Sequence, residues 1–454
     1  MKWARIIGGL GLAAIGGAAA YASGLSEPVA WTIAVTTLTA AWWVTEAIPI
    51  PATSLIPFAA FPMAGVLTDK EAASALGDHV IVLLMGAFML SKGLEKSGAH
   101  ERLALTMIRL VGSSGKRLVA GFMIASAMVS MWVSNTATTL MLMPIALAVL
   151  ARAEDRSLDV PIVLGVAYAA SIGGLGTLIG TPPNVIFAGI YERTAGVEYG
   201  FTRWMATGVP VVAVAILLSI LWLTRRIRFN ERVAIPDPGA WTAAEVRTLI
   251  VFGVTVLLWV TRSEPFGGWS QWFGVGGAGD STVALLAVAA MFFIPDGKGG
   301  ALLDWKWASD IPWGMLLLFA GGICIAIAFE KSGLSVLIGN ALGGARVLHP
   351  FALMLVVCLV VTFMSELTSN TAVATLVLPV LAAVADGTGM APEILMVPAA
   401  MAASSGFMLP VSTAPNAIAY GTERVSVGEM AREGFALNIM LALVIASVCY
   451  FFLS

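Results

Sequence analysis

Ser134-Asn135-Thr136-Ala137 recurs as Ser369-Asn370-Thr371-Ala372, 235 residues later, each copy set in a long apolar stretch. The match extends outward from the tetrapeptide. Pro144 answers Pro379, and Glu95-Lys96-Ser97-Gly98 answers Glu330-Lys331-Ser332-Gly333, at the same offset. Downstream, Thr181-Pro182-Pro183-Asn184 is echoed by Thr413-Ala414-Pro415-Asn416 at an offset of 232. The chain therefore carries a duplicated unit. Serine, threonine and asparagine are favoured helix N-caps, because their side-chain oxygens satisfy the backbone N–H groups that a helix start leaves unpaired. Such a tripeptide inside apolar sequence marks a place where one helix stops and another begins.

The sequence has 454 residues, 59% hydrophobic and 11% charged, against roughly 25% charged in an average soluble protein. This composition specifies an all-α polytopic membrane protein. The net charge of −2 gives no reason to expect a nucleic-acid partner. Cys324, Cys358 and Cys449 lie in apolar runs without a pairing pattern, and His79, His100 and His349 are too far apart for a local metal motif. Lys2 and Arg5, followed by an Ala/Gly-rich stretch ending in Ala20-Tyr21-Ala22-Ser23, loosely resemble a secretory signal. A second apolar segment follows at once, so the stretch is expected to stay as a first span.

Segments of the ~20 residues needed to span fall near 5–24, 28–45, 48–67, 79–95, 160–190, 205–224, 243–262, 281–295, 313–330, 392–420 and 434–453, eleven in all. The stretches 117–152 and 350–386 are too long for one span and carry their Ser-Asn-Thr at the middle, which predicts two re-entrant helical hairpins. Segments 96–116 and 331–349 mix apolar and basic residues and suit amphipathic helices at the interface. Residues 225–242 and 297–310 are expected as polar cytoplasmic linkers. With the N-terminus cytoplasmic and the C-terminus outside, 19 of the 25 Lys and Arg fall inside, and only Lys70, Arg193, Arg203, Arg262, Lys331 and Arg346 fall outside, as the positive-inside rule requires. Five spans separate the two Glu-Lys-Ser-Gly turns. Five is odd, so the second unit is inverted relative to the first, and inverted repeats place a binding site near mid-membrane between the copies.

The tripeptides sit at the starts of helices predicted over 137–150 and 372–384, where the dipole is positive and free N–H groups favour an anion. The arm entering each tip ends there in carbonyl oxygens that suit a small cation. Gly180-Thr181-Pro182-Pro183-Asn184 and Ser412-Thr413-Ala414-Pro415-Asn416 repeat the device inside two spans, with Thr181 as cap and Pro182 at the first helical position. A break in lipid is tolerated only beside a lined cavity. Any one of these residues could be helix–helix glue or a kink; four polar breaks in register across two halves point to a site. No Arg or Lys lies in either tip or either break, so a bound anion would depend on hydroxyls, amides, dipoles and a neighbouring cation. Glu46 and Glu366 lie near membrane depth. Glu46 is explained by a wet segment end, and Glu366, three residues before Ser369, could support the second tip; neither is expected to be a ligand.

The stretches Ser130-Met131-Trp132-Val133-Ser134-Asn135-Thr136-Ala137, Thr368-Ser369-Asn370-Thr371-Ala372 and Thr181-Pro182-Pro183-Asn184, with Thr45-Glu46-Ala47-Ile48-Pro49 near the start, resemble the divalent-anion/sodium symporter family, the INDY-type di- and tricarboxylate transporters. The resemblance implies a homodimer whose protomers each combine a scaffold (1–78 and 243–312) with a transport domain (79–224 and 313–454) moving as an elevator. It implies one sodium ion at Ser130, Ser134, Asn135 and Gly180, and another at Ser365, Ser369, Asn370 and Ser412. Substrate contacts would fall on Asn135, Thr136, Thr181, Ser369, Asn370, Thr371, Thr413 and Ala414. Two departures from the family pattern stand out. The second break reads Thr-Ala-Pro-Asn where many members have Thr-Pro-Pro-Asn, and Ser412 replaces a small apolar residue. The implied activity is sodium-coupled import of C4-dicarboxylates such as succinate, malate or fumarate across a bacterial inner membrane. Sulfate or tricarboxylate symport and sodium-independent exchange are the alternatives within transport. An intramembrane enzyme would want a paired acid and base or a His-Glu-x-x-His set, which the sequence lacks.

Overall fold

The computed structural model describes residues 2–152, 156–227, 233, 235–263, 267–342 and 349–453. Arg228, Arg232, Arg346 and part of the 225–242 linker lie outside the described residues. Among the described residues the regular structure is helical, apart from one isolated bridge between Pro295 and Ala301.

The chain opens with α1 (Lys2–Ala22) and α2 (Glu27–Thr45), then three short helices, α3 (Ile50–Thr53), α4 (Ile56–Met63) and α5 (Asp69–Ser74). The first repeat runs α6 (His79–Ser97), α7 (Ala99–Val111), α8 (Gly115–Ser130), α9 (Asn135–Leu150), α10 (Asp159–Gly173), α11 (Pro182–Ala195) and α12 (Phe201–Leu223). Between the repeats lie α13 (Ala243–Val260), α14 (Gly268–Trp272), α15 (Asp280–Phe293) and α16 (Trp305–Ala308). The second repeat runs α17 (Trp313–Ser332), α18 (Leu334–Leu342), α19 (Pro350–Ser365), α20 (Asn370–Thr388), α21 (Pro392–Ala403), α22 (Ala414–Gly421) and α23 (Val427–Leu453). The two series correspond helix for helix.

Each Glu-Lys-Ser-Gly motif is a helix stop. Gly98 (φ 78°) and Gly333 (φ 82°) take the left-handed conformation that ends α6 and α17, which a residue with a Cβ adopts only under strain. The Ser-Asn-Thr motifs are the tips of the helical hairpins α8–α9 and α19–α20.

Eight described helices are long and apolar enough to cross a membrane, which makes this a multi-pass membrane protein. One of the eight is α20, expected as a hairpin arm; the expected span 28–45 is the continuous helix α2, and 48–67, 281–295 and 392–420 are shorter or broken. Segment 48–67, expected as one span, is instead α3 and α4. Pro51, Pro57 and Pro62 fall in quick succession there, so no uninterrupted hydrogen-bond ladder forms, and the Trp43 indole fastens the break by donating to Ser54 Oγ (3.1 Å). Segment 281–295 shortens to the 14 residues of α15.

The core centres on α10, which is buried along nearly its whole length. Its small and apolar residues present no polar face, as an all-round buried helix must. It packs on α8, α9, α12 and α22. At Gly173 a Cβ would lie 2.3 Å from Ala127 O, so the approach of α8 to α10 requires glycine. The repeats also exchange half-helices. The half-helix α11 packs on α20 and α21, while α22 packs on α9 and α10. The amphipathic α7 is less peripheral than its sequence predicts, because Arg102 turns inward. Its guanidinium pairs with Glu245 (2.7 Å) and donates to the carbonyls of Pro238, Gly239 and Ala240.

Candidate functional site: two hairpin tips around one cavity

Four helix N-termini meet at a single cavity of about 790 Å³. The starts of α9 and α20 bring Ser134, Asn135 and Thr136, and Ser369, Asn370 and Thr371. The starts of α11 and α22 bring Gly180 and Thr181, and Ser412, Thr413 and Ala414. Four positive dipole ends thus face one space, which suits an anion with charge at both ends. Of the residues expected to contact sodium or substrate, only Ser130 and Ser365 do not line it. Both are fully buried one turn behind their tips.

Behind the first tip, Ser130 Oγ donates to Asn135 Oδ1 (2.6 Å). A Cβ on Gly174 would lie 2.8 Å from Asn135 Oδ1 and 3.0 Å from Gly180 O. A serine hydroxyl, an amide oxygen and glycine carbonyls therefore share a pocket with no room for a methyl group, an oxygen set that a hard cation prefers. Behind the second tip, the Asn370 amide donates to Ser412 O and Ala403 O (3.2 Å each). Ser412 Oγ donates to Gly406 O (3.2 Å) and Leu409 O (2.8 Å).

The two breaks are built alike. Asn184 Nδ2 donates to Gly174 O (3.0 Å) and Thr177 O (2.8 Å), and Asn416 Nδ2 donates to Gly406 O (3.2 Å) and Leu409 O (3.1 Å). Each asparagine reaches back ten and seven residues to tie the irregular backbone ahead of its own helix. This satisfies carbonyls that no helix can reach.

The caps depart from expectation in two places. Ser134 Oγ accepts from Ala137 N (3.2 Å) and Thr413 Oγ1 from Asn416 N (3.2 Å), as capping requires. Thr181 holds the N-cap position of α11 without a capping bond, because its hydroxyl turns across the repeat boundary to Ser404 Oγ (3.1 Å). Ser369 likewise makes no capping bond.

Glu366, expected as a support for the second tip, supports the second break instead, while Lys92 and Ser404 were not read from the sequence as part of the site. Glu366 is buried, and its carboxylate accepts from the backbone N–H of Phe407 (2.6 Å), Met408 (2.9 Å) and Leu409 (3.1 Å) and from Asn438 Nδ2 (2.7 Å). It holds the second break rather than facing the cavity. Lys92 lines the cavity mouth between Glu95 (3.0 Å) and Asp310 (3.1 Å). Ser404 has no signal beyond being polar in an apolar run. Gly174 and Gly406 do have one, since they stand at the same 232-residue offset as the breaks. Glu46 is exposed at the end of α2, beside Lys2 and Arg5, as a wet segment end would be.

The sequence profile of the family described as "Citrate transporter" matches residues 40–395 and 346–454. The chain belongs to the divalent-anion/sodium symporter family. Among the most similar members, it is 38% identical over 454 residues to the sodium-dependent dicarboxylate transporter SdcS of Staphylococcus saprophyticus, covering 94% of this chain and 86% of the relative. It is 37% identical over 448 residues to SdcS of Staphylococcus aureus strain USA300, covering 93% and 85%. In fold it resembles the crystal structure of the Alcanivorax borkumensis YdaH transporter (TM-score 0.59, 14% identity, covering 93% of this chain and 98% of that one). Family membership thus joins a protein with two repeated tips to proteins named as transporters.

Proposed function

We propose that this protein is a sodium-coupled symporter of C4-dicarboxylates, with the dianion held between the four helix N-termini and sodium in the oxygen-lined pocket behind each tip. The convergence of those N-termini on one cavity carries the reading. Neither tip nor either break supplies a basic side chain; among the described residues the one lysine on the cavity wall, Lys92, is already paired with two carboxylates at the mouth. Burying a dianion with only dipoles for partners is costly. Sodium beside it offsets the charge, so neither solute crosses well alone, and this is the origin of coupling. Two relatives named sodium-dependent dicarboxylate transporters, 37–38% identical over most of the chain, support the same substrate and ion.

In this proposal Ser130, Ser134, Asn135 and Gly180 hold one sodium ion, and Ser365, Ser369, Asn370 and Ser412 the other. Asn135, Thr136, Thr181, Ser369, Asn370, Thr371, Thr413 and Ala414 contact the dianion. The protein works as a homodimer in the cell membrane, N-terminus cytoplasmic and C-terminus outside, by elevator movement. The stationary frame extends the expected 1–78 and 243–312 by α6 and α17, both expected from the sequence in the transport domain, giving α1–α6 and α13–α17, because α6 packs chiefly on α15 and α17 packs on α2, α3 and α4 as well as on the moving helices. The moving body comprises α8–α12 and α19–α23, with α7 and α18 as connecting arms.

Uptake of labelled succinate into proteoliposomes, with and without an inward sodium gradient, tests the proposal, with citrate and sulfate run in parallel. Uptake indifferent to sodium overturns the coupling, and no uptake of any dianion overturns the class. Asn135→Ala and Asn370→Ala should each abolish uptake in protein that remains folded and dimeric; normal transport by either variant removes the site.

A further inference from the structure

We infer that ion pairs on the face opposite the cavity mouth form a latch that holds the moving body at this end of its travel. The inference rests on the proposed division into frame and moving body. Three pairs cross that division. Arg193 Nη2 meets Asp78 Oδ2 at 2.5 Å and Arg262 Nη2 meets Glu198 Oε1 at 2.7 Å, while His79 Nε2 meets Glu192 Oε2 at 2.9 Å, an ion pair when the imidazole is protonated and a hydrogen bond otherwise. The backbone N–H of Phe201 adds a bond to Asp280 Oδ2 (3.2 Å), and Arg262 Nε braces that same carboxylate at 2.7 Å. Asp78, His79, Arg262 and Asp280 stand at the ends of α6, α13 and α15, in the frame. Glu192, Arg193, Glu198 and Phe201 stand at the end of α11 and the start of α12, in the moving body.

The mouth face is wired differently. Lys92 with Asp310 and Lys96 with Asp304 stay within the frame, while Arg225 with Glu433 and Arg424 with Asp159 stay within the moving body. Among the described residues, the ion pairs that directly join frame and moving body all lie on the closed face. A shift of a few ångströms would part all three pairs at once, so they favour the state in which the cavity opens beside Lys92. Each partly exposed pair biases such an equilibrium about two- to fivefold. Acting together, the three hold it by roughly tenfold or more.

The test measures from which side the cavity can be reached. Leu140 lines it on α9 and is exposed there, and the native cysteines are all buried, so a Leu140→Cys protein reacts with an impermeant maleimide at one known position. In oriented vesicles the parent should react chiefly from the mouth side. Glu192→Gln with Glu198→Gln, isosteric changes at partly exposed sites, should slow that reaction and speed labelling from the opposite side, moving the ratio about tenfold. Asp78→Arg and Arg193→Asp should each move it in the same direction, and the double exchange should restore the parental ratio. A ratio unchanged in the double glutamine variant, or an exchange no better than its single members, overturns the latch. Labelling from one side only, in every variant and at every sodium and succinate concentration, overturns the moving-body reading instead. That outcome is distinguishable because the latch fails alone when both sides label but the ratio ignores the charges.

Discussion

The two hairpin tips have the same sequence and sit in different surroundings. Behind the first, Met131 occupies the position that Glu366 takes behind the second. The first break is tied down by neutral groups, with Thr177 Oγ1 donating to Met131 O at 2.5 Å. The second is tied down by a buried carboxylate that gathers three consecutive backbone N–H groups. Hydrogen bonds to a charged acceptor are worth ~1.5–3 kcal/mol each, against ~1 kcal/mol for neutral ones. The same geometry has thus been fixed once by packing and close backbone contact, and once by charge. Repeating the tip sequence does not require repeating what holds it in place.

The largest expected effect exploits this difference. Glu366→Gln would turn an amide N–H₂ toward backbone donors and remove the charge, loosening the second break. The sodium concentration for half-maximal uptake should rise about 10- to 100-fold, whereas Met131→Leu should change it less than about twofold. Equal responses to the two substitutions would mean that the tips are held in the same way.

A smaller effect separates the pockets by space. A Cβ on Gly174 would sit 2.8 Å from Asn135 Oδ1, against 3.2 Å from Ser412 Cβ and 3.5 Å from Ser365 Oγ for one on Gly406. Gly174→Ala should therefore weaken the sodium-dependent rise in thermal midpoint roughly tenfold in apparent affinity, and Gly406→Ala only about twofold. The reverse order would show that the second pocket is the tighter one.

The smallest effect concerns the two threonines. Thr181→Val removes the hydroxyl bridge to Ser404 and should weaken succinate binding about threefold while leaving sodium binding nearly unchanged. Thr413→Val removes a helix cap and should lower stability by ~1 kcal/mol, read as a fall in the ligand-free thermal midpoint. Identical consequences from both would make the difference in capping irrelevant.

Most of the architecture was legible because it is written in local chemistry. Gly98 and Gly333 end helices for a reason visible in four residues, and Ser134 and Thr413 cap as their types predict. The ion pairs also respect the alternation of ends. Arg193, Arg203, Arg262 and Lys331, all expected on one face, pair with Asp78, Glu393, Glu198 and Glu71, and among the described residues with no acidic residue expected on the other. What escaped depends on distance. Arg102 looks like an interfacial cation until the chain 143 residues on brings Glu245 to it. Glu366 is expected to act near the second tip, but its partner, a loop 41 residues away, is not visible in the sequence, and the Thr181–Ser404 bridge spans 223. Segment 48–67 failed for a different reason, since hydropathy measures what lipid accepts and says nothing of how many prolines a helix can carry.

The exchange of half-helices governs how such a molecule can come into being. The seat of α11 lies between α20 and α21, and Thr181 waits for a serine made 223 residues later. When the ribosome has finished the first repeat, it has produced one hairpin and a half-helix whose main packing partners do not yet exist. A gene cut between the repeats would have to deliver both fragments to the same patch of membrane before either pocket could close.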